Sequence, residues 1–285
     1  MLPELQTKFD ALLDRLRGMQ SVVVAFSGGV DSAFVLKVAV LAVGRERVLA
    51  VTGRSPSVPE TEIAGVAGLA SEIGARHEFL DTREFEDPNY LANPANRCYF
   101  CKTELYSNLV GWARERGFQA VVNGVNADDL GDFRPGLKAA DEHGIAAPLA
   151  ACGITKAELR QMAAHLGLSV ADKPASPCLS SRVQYGEAIT PEKLAMIDAA
   201  ETYLRSLGFR ECRVRHHDKL ARIEVPAAEV GRLVDGELRD QVDRRLREIG
   251  YQYVALDLRG FRSGSMNEAI LGVGFSKRGE RATPA

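Results

Sequence analysis

The chain has 285 residues, 46% of them hydrophobic and 26% charged, with 36 basic against 38 acidic side chains and a formal net charge of -2. That is enough apolar material for a large core and two domains, and the balance of charge offers no basic field for non-specific binding to nucleic acid. No apolar run approaches membrane length, the segment up to Gln20 is charged and amphipathic rather than a signal peptide, and five cysteines without a secretion signal argue against a disulfide framework. The expected location is the cytoplasm.

The first predicted strand, 22–26, is a short apolar run rich in β-branched residues. It leads into Ser27-Gly28-Gly29-Val30-Asp31-Ser32, and a helix follows over 31–43. Strands at 48–52, 77–80 and 120–123 then alternate with helices at 59–74 and 102–116, the pattern of an α/β doubly wound parallel sheet. Thr155-Lys156-Ala157-Glu158 reads as a capping box that opens a further helix, ending near Gly167. Residues 172–186 are rich in Pro, Ser and Gly and read as a loop, after which Thr190-Pro191 starts another helix. Strands are expected at 211–216, 221–226 and 253–258, with a helical stretch over 227–248 broken near Gly236. The chain is expected to divide near residue 187, into a domain over 1–187 and a smaller C-terminal α/β domain over 188–285. The last residues, SKRGERATPA, are polar and expected to be loose.

The loop at 27–32 lacks the lysine of a Walker loop. Gly28 and Gly29 let backbone approach a phosphate at a helix N-terminus, and Ser27 and Ser32 offer hydroxyls. Asp31 would repel phosphate unless a cation intervened, which points to Mg2+ between them. The plain alternative is a capped strand–helix turn.

The block NGVNADDLGDFRPG follows a strand at the carboxyl edge where such sheets bind ligands. Gly124, Asn126, Asp128 and Asp129 are candidates to line a nucleotide site, and Arg134 to meet phosphate or carboxylate; each taken singly also fits a polar turn. Gly53 and Arg54, after the second strand, are candidates for backbone contacts to adenine or ribose.

Cys98 and Cys101 form a C-x-x-C pair just before a predicted helix, and Cys178 lies in the later loop. Three thiolates can hold a metal group, and three ligands for four iron positions would leave one iron open. A redox pair or half of a zinc site is the competing reading. Cys152 and Cys212 read as packed core thiols. Arg213 and Arg215 fall on one face of a strand, suited to a substrate bearing phosphate and carboxylates, or else to a solvated strand face. Arg182 is a further substrate candidate, and Glu201 and Glu224 are candidate ligands for a second metal. His216 and His217 are adjacent on a strand and so face opposite ways, as surface or orienting residues.

SGGVDS resembles the PP-loop of the ATP pyrophosphatase superfamily. The resemblance implies an adenine nucleotide alpha hydrolase-like domain that cleaves ATP between its α- and β-phosphates, moves AMP onto a substrate oxygen and holds the departing pyrophosphate, so that no Walker lysine is required. NPANRCYFCKTELY, VNGVNADDLGDFRPGLKAA, KPASPCLSSRVQYGE and RVRHHDKLARIEVP together resemble the LarE family, over residues 26 to about 226. That resemblance implies an ATP-dependent sulfur transferase, which adenylates the carboxylates of pyridinium-3,5-biscarboxylic acid mononucleotide and turns them into thiocarboxylates on the way to the nickel-pincer nucleotide of lactate racemase. In one branch of the family a single cysteine, at the position of Cys178, gives up its sulfur. In the other, three cysteines hold a [4Fe-4S] cluster, and Cys98, Cys101 and Cys178 resemble that branch. The implied partners are ATP, Mg2+, the pyridinium nucleotide, sulfide or another sulfur donor, and a second copy of the chain in a homo-oligomer. A tRNA thiolation enzyme or an ammonia-dependent synthetase of the same superfamily, and a zinc-stapled nucleotide-binding regulator, are the alternatives. The charge balance disfavours the first, the placed cysteines the second and the adenylation loop the third.

Overall fold

A computed structural model describes residues 1–131 and 134–262. The chain forms two compact units. Of the described residues, the first comprises those within 1–179 and 188–194, and the second 180–187 with 195–262. The boundary therefore departs from the expected division at residue 187. Residues 180–187 go with the second unit because Val183 bridges His216 and Arg182 pairs with Glu201 there.

The first unit is built on four parallel strands, β1 (Val22–Ala25), β2 (Val48–Arg54), β3 (Arg76–Asp81) and β4 (Ala120–Val122), in the order β3-β2-β1-β4. Side chains alternate across the sheet, so Val22 and Val24 join one core and Val23 the other. On the first face pack α1 (Pro3–Gly18), α2 (Val30–Val43), α3 (Glu60–Ile73) and, later in the chain, α8 (Lys156–His165). Two short helices are α4 (Pro88–Leu91) and α7 (Pro148–Ala151). On the second face pack α5 (Arg97–Glu115) and α6 (Pro135–Glu142). The doubly wound parallel sheet expected from the alternation of elements is thus the observed fold. Helix α2 is apolar nearly all round, as a helix buried against both sheet and neighbouring helices must be. In α1 the residues Leu5, Phe9, Leu12 and Leu16 recur at helical spacing and are the buried ones.

Two boundaries matter for the site. The capping box is present in both halves, with Thr155 accepting from the Glu158 N–H and Glu158 accepting from the Thr155 N–H. Helix α5 begins at Arg97, five residues before the expected start, so Cys98 and Cys101 lie within its first two turns and not before it.

The second unit holds β5 (Arg213–His217), β6 (Leu220–Glu224) and β7 (Tyr253–Leu256), with β5 antiparallel and β7 parallel to β6. Helix α9 (Pro191–Ser206) opens in the first unit, with the Lys193 N–H donating to Thr190 Oγ1, and ends in the second. The helical stretch after β6 breaks as expected, into α10 (Val230–Val234) and α11 (Gly236–Ile249). The SKRGERATPA tail lies outside the described residues. No helix among the described residues is long and apolar enough to cross a membrane.

Candidate active site

The order β3-β2-β1-β4 reverses direction between β1 and β4, and ligands of open α/β sheets bind at the carboxyl ends of strands on either side of such a switch. The SGGVDS loop stands there. Gly28 has φ of 71°, and a Cβ on it would lie 2.7 Å from Val66 Cγ1. Gly124, at the end of β4, approaches the loop so closely that a Cβ would meet the Ser32 nitrogen at 2.8 Å. Gly29 is the N-cap of α2 and provides no side-chain cap, so the helix opens on backbone N–H groups suited to an anion. The Ser32 hydroxyl ties the turn together, donating to the Gly29 carbonyl at 3.1 Å and accepting from the Ser27 N–H at 3.2 Å.

Asp31 is held from two sides. Its Oδ1 accepts from Asn126 Nδ2 at 3.1 Å and its Oδ2 from Lys156 Nζ at 2.5 Å, with both partners of the ion pair about one-third exposed at 34% and 27%. A second lysine, Lys173, donates to the Gly28 carbonyl at 3.3 Å and pairs with Glu62 at 2.6 Å. The loop lacks a lysine in its own sequence, and the fold brings two to it from 125 and 145 residues away.

Beside the loop a cavity of about 430 Å³ is lined by Ser27, Asp31, Ser32, Gly53, Gly124 and Arg134 and also by Cys98, Cys101, Lys102 and Cys178. That volume suits a small-molecule site. The structure thus brings the three expected cysteines to the loop's own pocket. Their sulfurs feel one another. Cys98 keeps solvent-accessible surface in this recess, yet the protein atoms crowding its sulfur, and then Cys178, push its thiol up against the pull of Arg97, Lys102 and Arg134. Burial pushes Cys101 up to about 12. Lys102 has no ion-pair partner among the described residues and lies 5.9 Å from the Tyr106 ring centroid. Burial alone would lower its pKa, but Tyr106 and the thiols Cys101, Cys178 and Cys98 outweigh that and raise it. Among the described residues no three His, Cys, Asp or Glu side chains are drawn together closely enough for one metal ion. Three thiols lining one pocket form a soft donor set, which fits a sulfur-bridged iron group better than a hard cation.

Other expected residues brace the site or its surroundings, Asp129 and Arg134 from within the cavity lining. Asp128 accepts the Lys156 N–H at 2.8 Å and so braces the start of α8. Asp129 accepts the Asn126 N–H and pairs with Arg134 at 2.9 Å. Arg54 is exposed and pairs with Asp81, over the Phe79 ring.

In the second unit Arg182 and Glu201 are fully buried at 0%, joined by Nε at 2.8 Å and Nη2 at 3.0 Å. Glu201 also accepts from Arg205 and from the Val214 N–H. Burial would raise its carboxyl, but Arg182 and then Arg213 hold it below the usual range. Glu224 accepts from Arg215 at 2.8 and 3.0 Å and from Arg222 at 3.1 Å. These pairings weigh against Glu201 or Glu224 as ligands of a second metal. Arg213 and Arg215 are each 5% exposed, so the strand face they share is not a solvated one. Cys212 and Val214 alternate into the core as expected. His216 is buried with its Nδ1 3.3 Å from Tyr251 Oη, not at the surface, while His217 turns the other way to Gln184.

Sequence reasoning missed Lys156, Lys173, Lys102 and Glu84. One signal was available. In an alternating α/β chain a helix N-terminus returns to the carboxyl edge of the sheet, so Lys156, first in the helix after the capping residue, was aimed at the site.

Parallel sheet, glycine–serine–aspartate loop and facing lysines define an ATP-dependent enzyme of the PP-loop class. A family model described as NAD synthase matches residues 7–87, the part that carries this loop. Over 93% of its length the chain is 41% identical to the pyridinium-3,5-bisthiocarboxylic acid mononucleotide synthase of Lactiplantibacillus plantarum, with 96% of that protein covered. It is 44% identical to an uncharacterized protein of Synechocystis sp. over 93% of this chain and 99% of that one. It is also 30% identical to the NH(3)-dependent NAD(+) synthetase of Hyperthermus butylicus, over 57% of this chain and 60% of that one. The chain belongs to the family of pyridinium-3,5-bisthiocarboxylic acid mononucleotide synthases, the LarE family.

Proposed function

We propose that the protein adenylates the carboxylates of pyridinium-3,5-biscarboxylic acid mononucleotide and replaces the activated oxygen with sulfur, a step in nickel-pincer nucleotide biosynthesis. The observation that carries this reading is that three thiols and an ammonium with no ion-pair partner among the described residues line the same cavity as the PP-loop. A substrate carboxylate oxygen attacks the α-phosphorus of ATP, and the bond to pyrophosphate breaks. Sulfide then attacks the acyl carbon, and AMP leaves with the carboxylate oxygen. The amino end of α2, Ser27 and Ser32 receive the pyrophosphate portion. Lys156 and Lys173 add the positive charge that the loop lacks. Asp31 is the carboxylate that would hold Mg2+, whose charge offsets that of the phosphates. Cys98, Cys101 and Cys178 would hold a [4Fe-4S] cluster, which supplies an iron not bound to protein where sulfide can reside. Lys102 stands among these thiols as a fixed cation for the carboxylate under attack. Arg213 and Arg215 are the residues proposed to meet the substrate phosphate.

The test is the product balance. Pyrophosphate should appear only with the pyridinium substrate present and AMP only when sulfide is supplied as well, and ADP with inorganic phosphate would overturn the reading. Protein purified without oxygen should contain iron and sulfide, lost alike in Cys98→Ala, Cys101→Ala and Cys178→Ala. An intact mass at Cys178 after turnover supports the cluster, and loss of hydrogen sulfide in step with product supports a sacrificed cysteine. The NAD synthetase relative favours a second reading, a synthetase using ammonia. Replacing sulfide with ammonium in the same assay separates the two.

A further inference from the structure

We propose that Glu84 is the positioning residue that sets Cys178 against the cysteine pair on α5. Glu84 opens a 3-10 turn after β3, and its carboxylate is buried, 2% exposed, at the cavity wall. Its Oε1 accepts from Ser55 Oγ at 2.6 Å and from Ser57 Oγ at 3.3 Å. Both serines belong to the turn that leaves β2, and the Ser57 N–H donates to Ser55 Oγ at 3.2 Å. The Ser57 carbonyl in turn accepts the Leu179 N–H at 2.8 Å. Leu179 follows Cys178 directly, and its side chain is 2% exposed. A continuous path therefore runs from Glu84 through Ser57 to the backbone that carries the third thiol, and the turn holding Glu84 also packs against α5, which carries the other two.

The tether acts on a loop. Residues 172–178 form no helix or strand, and Pro174 and Pro177 each lack a backbone N–H. The second observation concerns the other carboxylate oxygen. Glu84 Oε2 is buried with no hydrogen-bond donor among the described residues. An unmatched carboxylate oxygen is costly to bury, so the hydrogen bonds from the two serines to Oε1 are what offsets the desolvation of this carboxylate. Glu84 keeps two serines in place for a site that needs Cys178 in one position.

This inference rests on the reading that the three thiols act as a set, and its test does not depend on activity. The full chain is compared in reduced, iron-free form as wild type, Glu84→Ala and Glu84→Gln. The Leu179 amide is followed by hydrogen exchange, and Cys178 and Cys98 by their rates of alkylation with iodoacetamide. Glu84→Ala should speed Leu179 exchange and Cys178 alkylation about tenfold, with Cys98 and the β1 amides unchanged. Glu84→Gln keeps an oxygen that accepts from both serines and should restore wild-type rates. Should Glu84→Ala fail to fold, Ser57→Ala, which removes one donor to Oε1, takes its place with a smaller effect of the same pattern. Unchanged Leu179 and Cys178 rates in the alanine variants would overturn the proposal. So would a uniform rise that includes Cys98 and β1, or a glutamine variant that behaves like alanine. If wild-type protein takes up no iron when supplied with iron and sulfide, the cluster reading fails, while the exchange and alkylation results still decide the role of Glu84.

Discussion

Asp31 and Lys156 meet in the first unit about one-third exposed, beside a cavity. Arg182 and Glu201 meet in the second unit with no exposure at all, inside a network that also takes up Arg205 and the Val214 N–H. The residue types are alike and the settings opposite. A half-solvated pair at the edge of a cavity gives up little when a ligand takes over one partner. A closed, desolvated pair loses much when either partner leaves, because the other is stranded in low dielectric. Charge that can exchange partners is suited to binding, and charge that cannot is suited to holding a shape.

The strongest way to break this contrast is at Asp31. Asp31→Ala should lower kcat for pyrophosphate release by about a thousandfold, on the order of 4 kcal/mol, with the unfolding midpoint in urea little changed. A large loss of stability instead would mean that the pair with Lys156 is structural. Next comes Arg182→Ala, which should destabilise the protein by about 3–5 kcal/mol because it strands Glu201. Chemical denaturation measures it, and a loss below about 1 kcal/mol would remove the distinction between the units.

The two units also differ in how far they could be read from sequence. Buried parallel strands are nearly continuous apolar runs, so β1 and β2 stood out, and with them the loop between β1 and α2. The start of α5 did not, because Cys98-Tyr99-Phe100-Cys101 combines residues of weak helix propensity behind an Asn96 cap that makes no side-chain hydrogen bond. Glu84 sits in a three-residue turn and Lys173 in a proline-rich loop, where no periodicity exists to place a side chain. Alternation correctly assigned Arg213 and Arg215 to one strand face. It could not reveal that Glu224 occupies that face too, since pairing across strands depends on register.

That shared face yields the third prediction. If Arg213 and Arg215 bind the substrate phosphate, Arg213→Lys and Arg215→Lys should each raise KM for the pyridinium substrate about tenfold, roughly 1.4 kcal/mol, with kcat nearly unchanged, since lysine lacks the planar fork. Arg215 already gives Nε and Nη2 to Glu224 and Nη1 to the Ser181 carbonyl. A fall in stability with KM unmoved in both variants would therefore assign these arginines to the closed network and not to substrate.

The smallest effect is expected within the first unit, at a polar pair beneath the cavity that is satisfied rather than exchangeable. Thr52 Oγ1 donates to the Phe26 carbonyl at 2.7 Å, which leaves its lone pairs to accept from His77 Nε2 at 2.8 Å. Burial lowers the His77 pKa, against a weaker upward pull from Glu78, so the folded state favours the neutral ring. Below the ordinary histidine value of about 6.5 the unfolded chain takes up this proton more readily than the folded one, so this contribution makes stability fall as pH drops and recover as pH rises. Urea unfolding across pH 5 to 8 should show that slope in wild type and a shallower one in His77→Gln. Thr52→Val removes the acceptor and should cost about 1 kcal/mol. Neither variant should change KM for ATP. A shift in KM without a change in the pH slope would place His77 with the exchangeable groups of the cavity, and satisfied hydrogen bonds would then no longer distinguish the supporting residues of this unit from its binding ones.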